Sequence, residues 1–350
     1  MSKVNWSDKL RESHFLTWIK PLKEKYHLDI ATITPASIDA SFRRYFRIQG
    51  RSCSFVLMDA PPDQENNAAF VSVASLMRGA HIRVPDILDY NAEFGFLLLS
   101  DLGLSTMMEG LQLNNSEPNQ ALYLKAVDVL IKFQLASKPN VLPPYDFLSL
   151  KKELSLFPEW YLKKHKGVEI DMKLQLVLEA SFEKIISNNL LSPKVFVHRD
   201  FMPRNLMLPT NGITEFGVLD FQDAVYGPIT YDIASLMRDA FISWEEDFCL
   251  DITIRYWERA RKTGLPVSND FSDFYRSVEW MGLQRHLKVA GIFARLSLRD
   301  GKPRYLEDAP RFINYIRSTC SRYRELRPLL NLINEVEGLN TDSSYAFGRF

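Results

Sequence analysis

Two short segments of the chain carry side chains suited to the transfer of a phosphoryl group. The first contains Asp200 and, five residues later, Asn205, and the second places Asp220 directly after an apolar run. Phosphoryl transfer needs a carboxylate that orients the attacking hydroxyl and oxygen ligands for the magnesium ions on the nucleotide phosphates. We therefore predict that Asp200 is the catalytic carboxylate and that Asn205 and Asp220 supply the oxygen ligands that Mg²⁺ prefers.

The local setting of these residues separates them from ordinary turns and helix caps, in which acidic and amide side chains are common. Both segments follow short β-type runs, at 194–197 and 216–219, and a turn at 209–212 lies between them. The pattern predicts that both groups lie at adjoining strand ends and face one cleft. The order of the residues matches the catalytic pattern of protein kinases, with Gln222 in place of the final glycine.

The composition limits the partners that this protein is expected to bind. Of its 350 residues, 46% are hydrophobic and 25% are charged, which is enough for a substantial core and for two domains or one large bilobal domain. The 43 basic residues balance 43 acidic ones. A formal net charge of zero gives no general electrostatic reason to bind nucleic acid or an anionic membrane. We therefore expect neither of these partners.

The cysteines and the first residues indicate a cytoplasmic protein. Cys53, Cys249 and Cys320 form no CxxC pair, and their odd number argues against a complete disulfide framework. The N-terminal segment is rich in charge and lacks the apolar core of a secretory signal. No run approaches the roughly 18 to 20 apolar residues that a bilayer-spanning helix needs. We expect a cytoplasmic protein that has no membrane segment and is a monomer.

The predicted elements favour an α+β protein with the bilobal plan of a protein kinase. The first hundred residues predict a small strand-rich lobe, and helical periods dominate a larger lobe beyond the connector at 100–103. The nucleotide-binding lobe is assigned to 1–99, the hinge to 100–103, and the catalytic and substrate-binding lobe to 104–350. In the small lobe we predict helices at 14–26 and 68–78 and strands at 45–48, 53–58 and 94–99.

The chain resembles the aminoglycoside phosphotransferase superfamily, whose members are small-molecule kinases built on the protein-kinase-like fold. The resemblance rests on His198-Arg199-Asp200, Asn205, Asp220-Phe221-Gln222-Asp223 and the run at 227–232. Within the superfamily, further segments are similar to the cytoplasmic anomeric kinases of N-acetylmuramate and N-acetylglucosamine. These segments lie at 40–47, 58–62, 98–103, 281–296 and 299–302, so the resemblance covers most of the chain.

The resemblance implies a kinase that uses ATP and Mg²⁺ to phosphorylate the anomeric C1 hydroxyl of N-acetylmuramate, N-acetylglucosamine or both, as in the recycling of peptidoglycan sugars. It assigns catalysis to Asp200 and magnesium binding to Asn205 and Asp220. It also implies that backbone groups of the segment Leu99 to Asp101 bind the adenine. Asp232 would brace the catalytic loop from the following helix.

Four residues are candidates for binding the sugar substrate: Asp223, Gln284, Arg285 and Lys288. We expect Arg285 or Lys288 to pair with the lactyl carboxylate of N-acetylmuramate, because hydrogen bonds between a cation and a carboxylate are strong. The alternative is that Arg285 and Lys288 line a solvated helix face.

Two phosphate-binding parts of a protein kinase are absent from the sequence. The turn at 38–44 has no glycine, and Met58 stands where the third strand of a kinase carries a lysine. We expect Arg43 or Arg44 to supply the missing positive charge, because arginine binds phosphate in a bidentate way. The alternative is that both are solvated strand-edge residues. Glu65 corresponds either to the kinase glutamate that pairs with the lysine or to an acid placed favourably before a helix.

Two other functions remain open from the sequence. One is a kinase of another small alcohol, such as an aminoglycoside, choline or homoserine, and the other is a non-catalytic binding module with a kinase fold. Arg285, His286 and Lys288 in the presumed substrate segment favour a neutral or anionic ligand over a cationic one. The missing lysine and glycines favour a binding module, whereas the three intact catalytic residues oppose it.

Overall fold

The chain divides into two units that are built differently. A computed structural model describes residues 4, 6, 8–37, 42–112, 116–209 and 212–339. The first unit comprises Met1–Gln112 and Pro203–Asp223, and the second comprises Leu113–Met202 and Ala224–Phe350. The segment with Asn205 and Asp220 thus belongs to the first unit, and Asp200 belongs to the second. The lobe boundary at 100–103 stays a prediction, and the first unit extends beyond it.

The described residues form eleven α-helices, nine β-strands and one π-helix. The α-helices are α1 Lys9–Tyr26, α2 Asn67–Gly79, α3 Met107–Gly110, α4 Ser116–Leu135, α5 Phe147–Leu154, α6 Met172–Leu190, α7 Thr230–Met237, α8 Glu246–Lys262, α9 Phe271–Leu298, α10 Ala309–Arg322 and α11 Arg327–Val336. The strands are β1 Asp29–Ser37, β2 Arg44–Gln49, β3 Ser54–Asp59, β4 Ile87–Asn91, β5 Phe96–Ser100, β6 Lys194–Val197, β7 Leu206–Met207, β8 Gly217–Val218 and β9 Val225–Pro228. The π-helix is Phe157–His165.

A five-stranded antiparallel sheet in the order β1-β2-β3-β5-β4 forms the centre of the first unit. Helix α1 packs against it because the apolar residues of α1 recur with helical spacing and form one stripe. Side chains alternate between the two faces of a strand, so β2 turns Phe46 and Ile48 towards this core and Tyr45 and Arg47 the other way. The stripe of α1 consists of Phe15, Trp18, Ile19 and Leu22.

Local signals in the sequence fix the start of α2, which leads from the sheet into the site. The side chain of Asn66 accepts a hydrogen bond from the backbone N–H of Ala69 at 3.1 Å, which is the usual cap at a helix N-terminus. Asn67 is buried and donates to the carbonyl of Ala60 at 2.8 Å. These two bonds tie the end of β3 to the start of α2 and thereby fix Glu65, which lies just before the cap.

The second unit is mainly helical and is organised around α9, which is 28 residues long and buried over most of its length. Helix α9 approaches the start of the π-helix so closely that a Cβ atom on Gly291 would lie 2.4 Å from the carbonyl carbon of Leu156. Only glycine fits at this crossing. Strands β6 and β9 pair in antiparallel register from Lys194 opposite Pro228 to Val197 opposite Val225, and the catalytic segment follows β6 directly.

The α+β class predicted from the sequence is confirmed, with a strand-rich first unit and a helical second unit. The helices predicted at 14–26 and 68–78 correspond to α1 and α2. Residues 38–41 of the glycine-free turn and residues 210 and 211 of the turn at 209–212 lie outside the described part of the chain. Among the described helices, none combines the length and the apolar character needed to cross a lipid bilayer.

Candidate nucleotide site and catalytic loop

A cavity of about 400 Å³ lies in the first unit beside the sheet face that carries Tyr45 and Arg47. Apolar side chains form most of its wall, among them Val56, Leu99 and Phe221. A mostly apolar cavity with a few well-placed polar groups is the common form of a small-molecule site. The cavity therefore suits a ligand with a flat, largely apolar ring at one end, such as a nucleotide base.

The hinge residues predicted from the sequence, Leu99 and Asp101, both line this cavity. The carboxylate of Asp101 accepts hydrogen bonds from Arg47 Nε at 2.6 Å, Ser54 Oγ at 2.7 Å and the backbone N–H of Gly103 at 3.0 Å. Burial raises the pKa of Asp101, but these hydrogen bonds outweigh it and hold the pKa below its ordinary value. The side chain of Asp101 thus fixes the hinge, and binding of a base through hinge backbone groups stays a prediction.

Asn205 and Asp220 line the same cavity and are held by one small hairpin. Asn205 directly precedes β7, and Asp220 lies two residues after β8. The backbone N–H of Leu219 donates to the carbonyl of Asn205 at 2.9 Å, which joins the two segments. Asp220 has a φ of +61°, a conformation that is unfavourable for a residue with a side chain and that is often found at functional sites.

The chemistry of this donor pair fits magnesium. An amide oxygen and a carboxylate are hard ligands, and Mg²⁺ usually takes one or two protein carboxylates and completes its shell with phosphate oxygens and water. Gln222 Nε2 donates to Asp220 Oδ1 at 2.8 Å and so orients the carboxylate. Within the described residues there is no group of three or more His, Cys, Asp and Glu side chains able to hold a metal.

The two arginines proposed to bind phosphate differ in their surroundings. Arg44 Nε donates to Asp59 Oδ2 at 2.8 Å, and its guanidinium lies 4.7 Å from the ring centroid of Trp6. Because Tyr45 lines the cavity, the alternation of side chains along β2 turns Arg44 towards the opposite face of the sheet. Arg43 forms an ion pair with Glu65 at 2.7 Å. The two arginines thus have different partners, Glu65 before α2 for Arg43 and Asp59 at the end of β3 for Arg44.

The catalytic segment of the second unit has an unusual backbone that is fixed by Asp232. The carboxylate of Asp232 accepts hydrogen bonds from the backbone N–H groups of His198 at 2.7 Å and Arg199 at 3.0 Å. Arg199 has a φ of +77°, which is costly for a residue with a side chain unless its surroundings enforce it. Burial raises the pKa of Asp232 to about 6, against the lowering effect of His198 and the two backbone bonds. The bracing role predicted for Asp232 is confirmed.

Positive charges surround Asp200 within the second unit. Burial raises the pKa of its carboxyl group, but Lys288, Arg285 and Arg199 outweigh this effect and hold the pKa below the ordinary value. Asp200 is therefore ionised at neutral pH. An ionised carboxylate on a fixed loop can accept a hydrogen bond from a hydroxyl and hold that hydroxyl in one orientation.

Three residues predicted to bind the sugar lie buried on α9 and contact protein groups, and their binding of the sugar stays a prediction. Gln284 Nε2 donates to the carbonyl of Leu150 at 3.0 Å, and Arg285 Nη1 donates to the carbonyl of Arg199 at 2.6 Å. Lys288 Nζ lies 3.0 Å from a carboxylate oxygen of Glu153. The alternative of a solvated helix face is wrong, because all three side chains are buried. These contacts join α9 to α5 and, through Arg285, to the catalytic loop. The fourth candidate, Asp223, is exposed in the first unit.

Sequence reasoning missed Glu153, which connects several groups of the catalytic loop. Its carboxylate pairs with Arg199 and Lys288 and accepts a hydrogen bond from the hydroxyl of Tyr145. Burial raises its pKa, and the two cations and the tyrosine hydroxyl lower it further than burial raises it. The sequence did contain an indication that Glu153 is buried, because it lies on the same face of α5 as the fully buried Leu150. An acid in an apolar stripe points to a buried ion pair.

Two bacterial sugar kinases are similar in sequence to most of this chain. An N-acetylmuramate/N-acetylglucosamine kinase of Neisseria meningitidis is 47% identical over 330 residues, which cover 94% of this chain and 96% of the relative. A kinase of the same name from Pseudomonas aeruginosa is 49% identical over 303 residues, which cover 87% of this chain and 88% of the relative.

Solved structures with low sequence identity share the fold. An ethanolamine kinase of Plasmodium vivax superposes with a TM-score of 0.62 at 12% identity and covers 91% of both chains. The ADP-bound aminoglycoside phosphotransferase APH(2'')-Ib superposes with a TM-score of 0.56 at 13% identity and covers 88% of this chain and 97% of that one. These likenesses confirm the kinase-like fold. A family model described as the phosphotransferase enzyme family matches residues 32–267. The chain therefore belongs to the phosphotransferase enzyme family, as the order of Asp200, Asn205 and Asp220 predicted.

Proposed function

We propose that this protein is a sugar kinase that transfers the γ-phosphoryl group of ATP to the anomeric C1 hydroxyl of N-acetylmuramate, N-acetylglucosamine or both. The observation that carries the proposal is the catalytic loop, in which Asp232 fixes the backbone and three cations keep Asp200 ionised. The names of the relatives at 47% and 49% identity supply the class of acceptor. Peptidoglycan sugar recycling is the process that this acceptor suggests.

The cavity of the first unit supports an adenine nucleotide as the donor. Its apolar wall offers a place for the base next to Leu99 and Asp101, and Arg47 and Ser54 keep the hinge segment in position through Asp101. An aminoglycoside phosphotransferase of the same fold is ADP-bound, which favours the same class of donor here.

Magnesium is assigned to Asn205 and Asp220 in this proposal. Bound there with the nucleotide, the ion would neutralise charge on the phosphate oxygens, which is the main electrostatic need of phosphoryl transfer. The protein contributes the fixed positions of the two ligands, through the β7–β8 hairpin and through the hydrogen bond from Gln222 to Asp220.

Asp200 is assigned the role of orienting the sugar hydroxyl. Its ionised carboxylate accepts the hydrogen bond of the C1 hydroxyl and so directs a lone pair of that oxygen for attack. An anomeric hydroxyl is more acidic than an ordinary alcohol, so orientation contributes more than complete removal of the proton. The loose transition state of phosphoryl transfer has the same consequence, because it requires little nucleophile activation.

A substrate panel tests the proposal directly. The protein is incubated with ATP, Mg²⁺ and one acceptor at a time, and the products are read by ³¹P NMR. We expect an acid-labile sugar 1-phosphate with N-acetylmuramate or N-acetylglucosamine and no new phosphate signal with choline, homoserine or an aminoglycoside. The Asp200→Asn variant provides the blank for contaminating kinases.

Other outcomes of the panel would replace the proposal with one of the alternatives. Phosphate on a primary hydroxyl of the sugar would overturn the anomeric assignment. Turnover of an aminoglycoside, choline or homoserine alone would indicate a kinase of another small alcohol. Nucleotide binding without turnover of any acceptor would indicate a non-catalytic module. Location in the cytoplasm and a monomeric state stay predictions, the second of which light scattering on the same sample measures.

A further inference from the structure

Arg43 and Glu65 form a nearly buried ion pair between the start of β2 and the start of α2. Arg43 Nη2 lies 2.7 Å from Glu65 Oε2, and the two side chains are only 8% and 10% exposed. The other carboxylate oxygen of Glu65 accepts a hydrogen bond from the backbone N–H of Phe42 at 3.2 Å. Glu65 therefore holds both the guanidinium of Arg43 and the backbone next to it.

The position of Arg43 relative to the cavity follows from the strand. Arg47 and Tyr45 line the cavity, and Arg43 directly precedes β2, two positions before Tyr45 and four before Arg47. Arg47 is bonded to Asp101 at the hinge. At about 3.3 Å per residue, Arg43 lies roughly 13 Å further along the strand, away from the hinge. This is the direction in which a nucleotide with its base at the hinge extends its phosphates.

Helix α2 gives an independent indication of the same location. Phe70, near the start of α2, lines the cavity, and its ring centroid lies 4.8 Å from that of Phe221. Phe221 directly follows Asp220, one of the two assigned magnesium ligands. Glu65 precedes α2 by two residues, so the ion pair lies at the N-terminal end of the helix whose Phe70 lines the cavity beside the assigned metal ligands.

The missing kinase lysine makes this ion pair informative. Met58 occupies the strand position of that lysine and is buried in register with Tyr45 on β2 and Leu97 on β5. In protein kinases the strand lysine binds nucleotide phosphates while a helix glutamate holds it. A guanidinium has five N–H donors, more than one carboxylate can engage, so its pairing with Glu65 is compatible with phosphate binding.

We propose that Glu65 is a positioning residue that holds Arg43 against the nucleotide phosphates, so that the Arg43–Glu65 pair replaces the lysine–glutamate pair of protein kinases. The inference rests on the proposed function for the identity of the nucleotide. It also decides between the two arginines considered from the sequence, since Arg44 is bound to Asp59 on the other face of the sheet.

The test compares binding of ADP with binding of adenosine by isothermal titration calorimetry, with Mg²⁺ present and the full chain. Adenosine reports on the apolar cavity alone, and ADP adds the phosphates. We expect Arg43→Ala to weaken ADP binding about tenfold or more, because a charge-assisted hydrogen bond contributes on that scale, and to leave adenosine binding unchanged. Glu65→Gln should give a smaller loss in the same direction, about threefold to tenfold.

Two further variants keep the test decisive. The double variant Arg43→Gln, Glu65→Gln leaves no buried charge unpaired, so it should fold even if a single variant does not. It should weaken ADP binding no more than Arg43→Ala does, because Glu65 acts only through Arg43. Arg78→Ala removes an arginine of α2 whose ion pair with Asp86 is exposed, and it should bind ADP like the wild type. Thermal melting of each variant verifies that it is folded.

Each outcome has a separate meaning. Equal loss of ADP and adenosine affinity, or no loss of either, would overturn the role of the pair while leaving the proposed kinase activity intact. Selective loss of ADP affinity supports the pair even where the substrate panel detects no sugar phosphate, in which case only the acceptor assignment fails. A wild-type protein that binds adenosine and ADP equally well would overturn both the role of the Arg43–Glu65 pair and the proposed kinase activity.

Discussion

The first and the second unit hold their functional residues by different arrangements of charge. Around the cavity of the first unit, separate ion pairs hold the hinge, through Arg47 and Asp101, and the start of α2, through Arg43 and Glu65, although Asp59 on the other face of the sheet is shared by two arginines. In the second unit the charges share partners, because Glu153 binds both Arg199 and Lys288. Loss of one group should therefore have a local effect in the first unit and a wide effect in the second.

This difference agrees with what each unit has to do in the proposed reaction. A nucleotide brings its own charge and its own metal ion, so the first unit needs only to fix a few contacts. The catalytic loop must keep a strained backbone and an ionised carboxylate in place, and a shared, buried network suits this because each member is held by several others. We expect variants of the second unit to lower kcat and stability, and variants of the first to raise the KM for ATP.

The largest effect is expected from Asp200→Asn. The amide keeps the shape of the side chain but removes the negative charge that orients the sugar hydroxyl, so kcat should fall about a thousandfold, within the usual range for a positioned acid–base group. The KM for ATP should change little, since the nucleotide cavity belongs to the first unit. Steady-state kinetics with a purified variant measures both. A kcat near that of the wild type would remove Asp200 from the mechanism.

Glu153→Gln should have the next largest effect and should act on stability and kcat together. The change leaves Arg199 and Lys288 without their shared carboxylate, and removal of one partner of a buried ion pair typically costs about 3 to 5 kcal/mol. Urea unfolding measures this loss, and kinetics should show a lower kcat with an unchanged KM for ATP. Glu159→Gln is the matched control, because Glu159 forms an exposed ion pair with Lys164. Equal stability of the two variants would contradict a shared network.

The pH dependence of the free energy of unfolding should reveal the raised pKa of Asp232. Burial raises its pKa to about 6 in the folded protein, above its ordinary value of 3.8, even though His198 and two backbone N–H groups favour the ionised form. Between these values the folded state binds more protons than the unfolded state. The stability that this group contributes is therefore complete below about pH 4 and is lost as the pH rises through 6, with a total near 3 kcal/mol.

The variant Asp232→Asn isolates this contribution, because asparagine does not titrate. Urea unfolding of both proteins at pH 4, 5, 6 and 7 should show that the free energy of unfolding of the wild type falls relative to the variant as the pH rises. Asp200 and Glu153, whose pKa values are lowered, act in the opposite direction in both proteins and cancel in the difference. Parallel pH curves would show that Asp232 has an ordinary pKa.

Local patterns in the sequence predicted several of the helices and strands well. The strands predicted at 45–48 and 53–58 match β2 and β3 because their pairing is a simple hairpin with an uninterrupted register. The chain order of Asp200, Asn205 and Asp220 was sufficient to predict the family. Strand β1 was not predicted, since Pro35 lies within it, and proline in a strand is tolerated only at an edge such as this one.

The partners of buried charges were beyond prediction from one sequence. Lys288, whose binding of the sugar stays a prediction, pairs with Glu153, which lies 135 positions earlier on another helix. Helical spacing identified the apolar stripes, yet nothing in the spacing shows which acid meets which base across the core. The same limit applied to Arg43 and Arg44, which are adjacent in sequence and have different partners, Glu65 before α2 and Asp59 on β3.

The smallest effect is expected from Asp101→Asn, which tests the first unit in isolation. Ser54 and Gly103 donate to different oxygens of Asp101, so asparagine, with one acceptor oxygen, can keep only one of these bonds. It also loses the charge that holds Arg47, at a cost of about 1 kcal/mol for a partly exposed pair. The KM for ATP should rise about fivefold by the same free energy while kcat stays unchanged. Asp63→Asn, at an exposed aspartate of the same unit, is the control for the loss of a negative charge.

Asp101→Asn and Glu153→Gln together test the contrast between the units. Asp101→Asn should change only the KM for ATP, whereas Glu153→Gln should change kcat and stability. A fall in kcat for Asp101→Asn as large as that for Glu153→Gln would mean that the hinge pair is part of the same cooperative network. Separate ion pairs would then no longer explain how the first unit holds its residues.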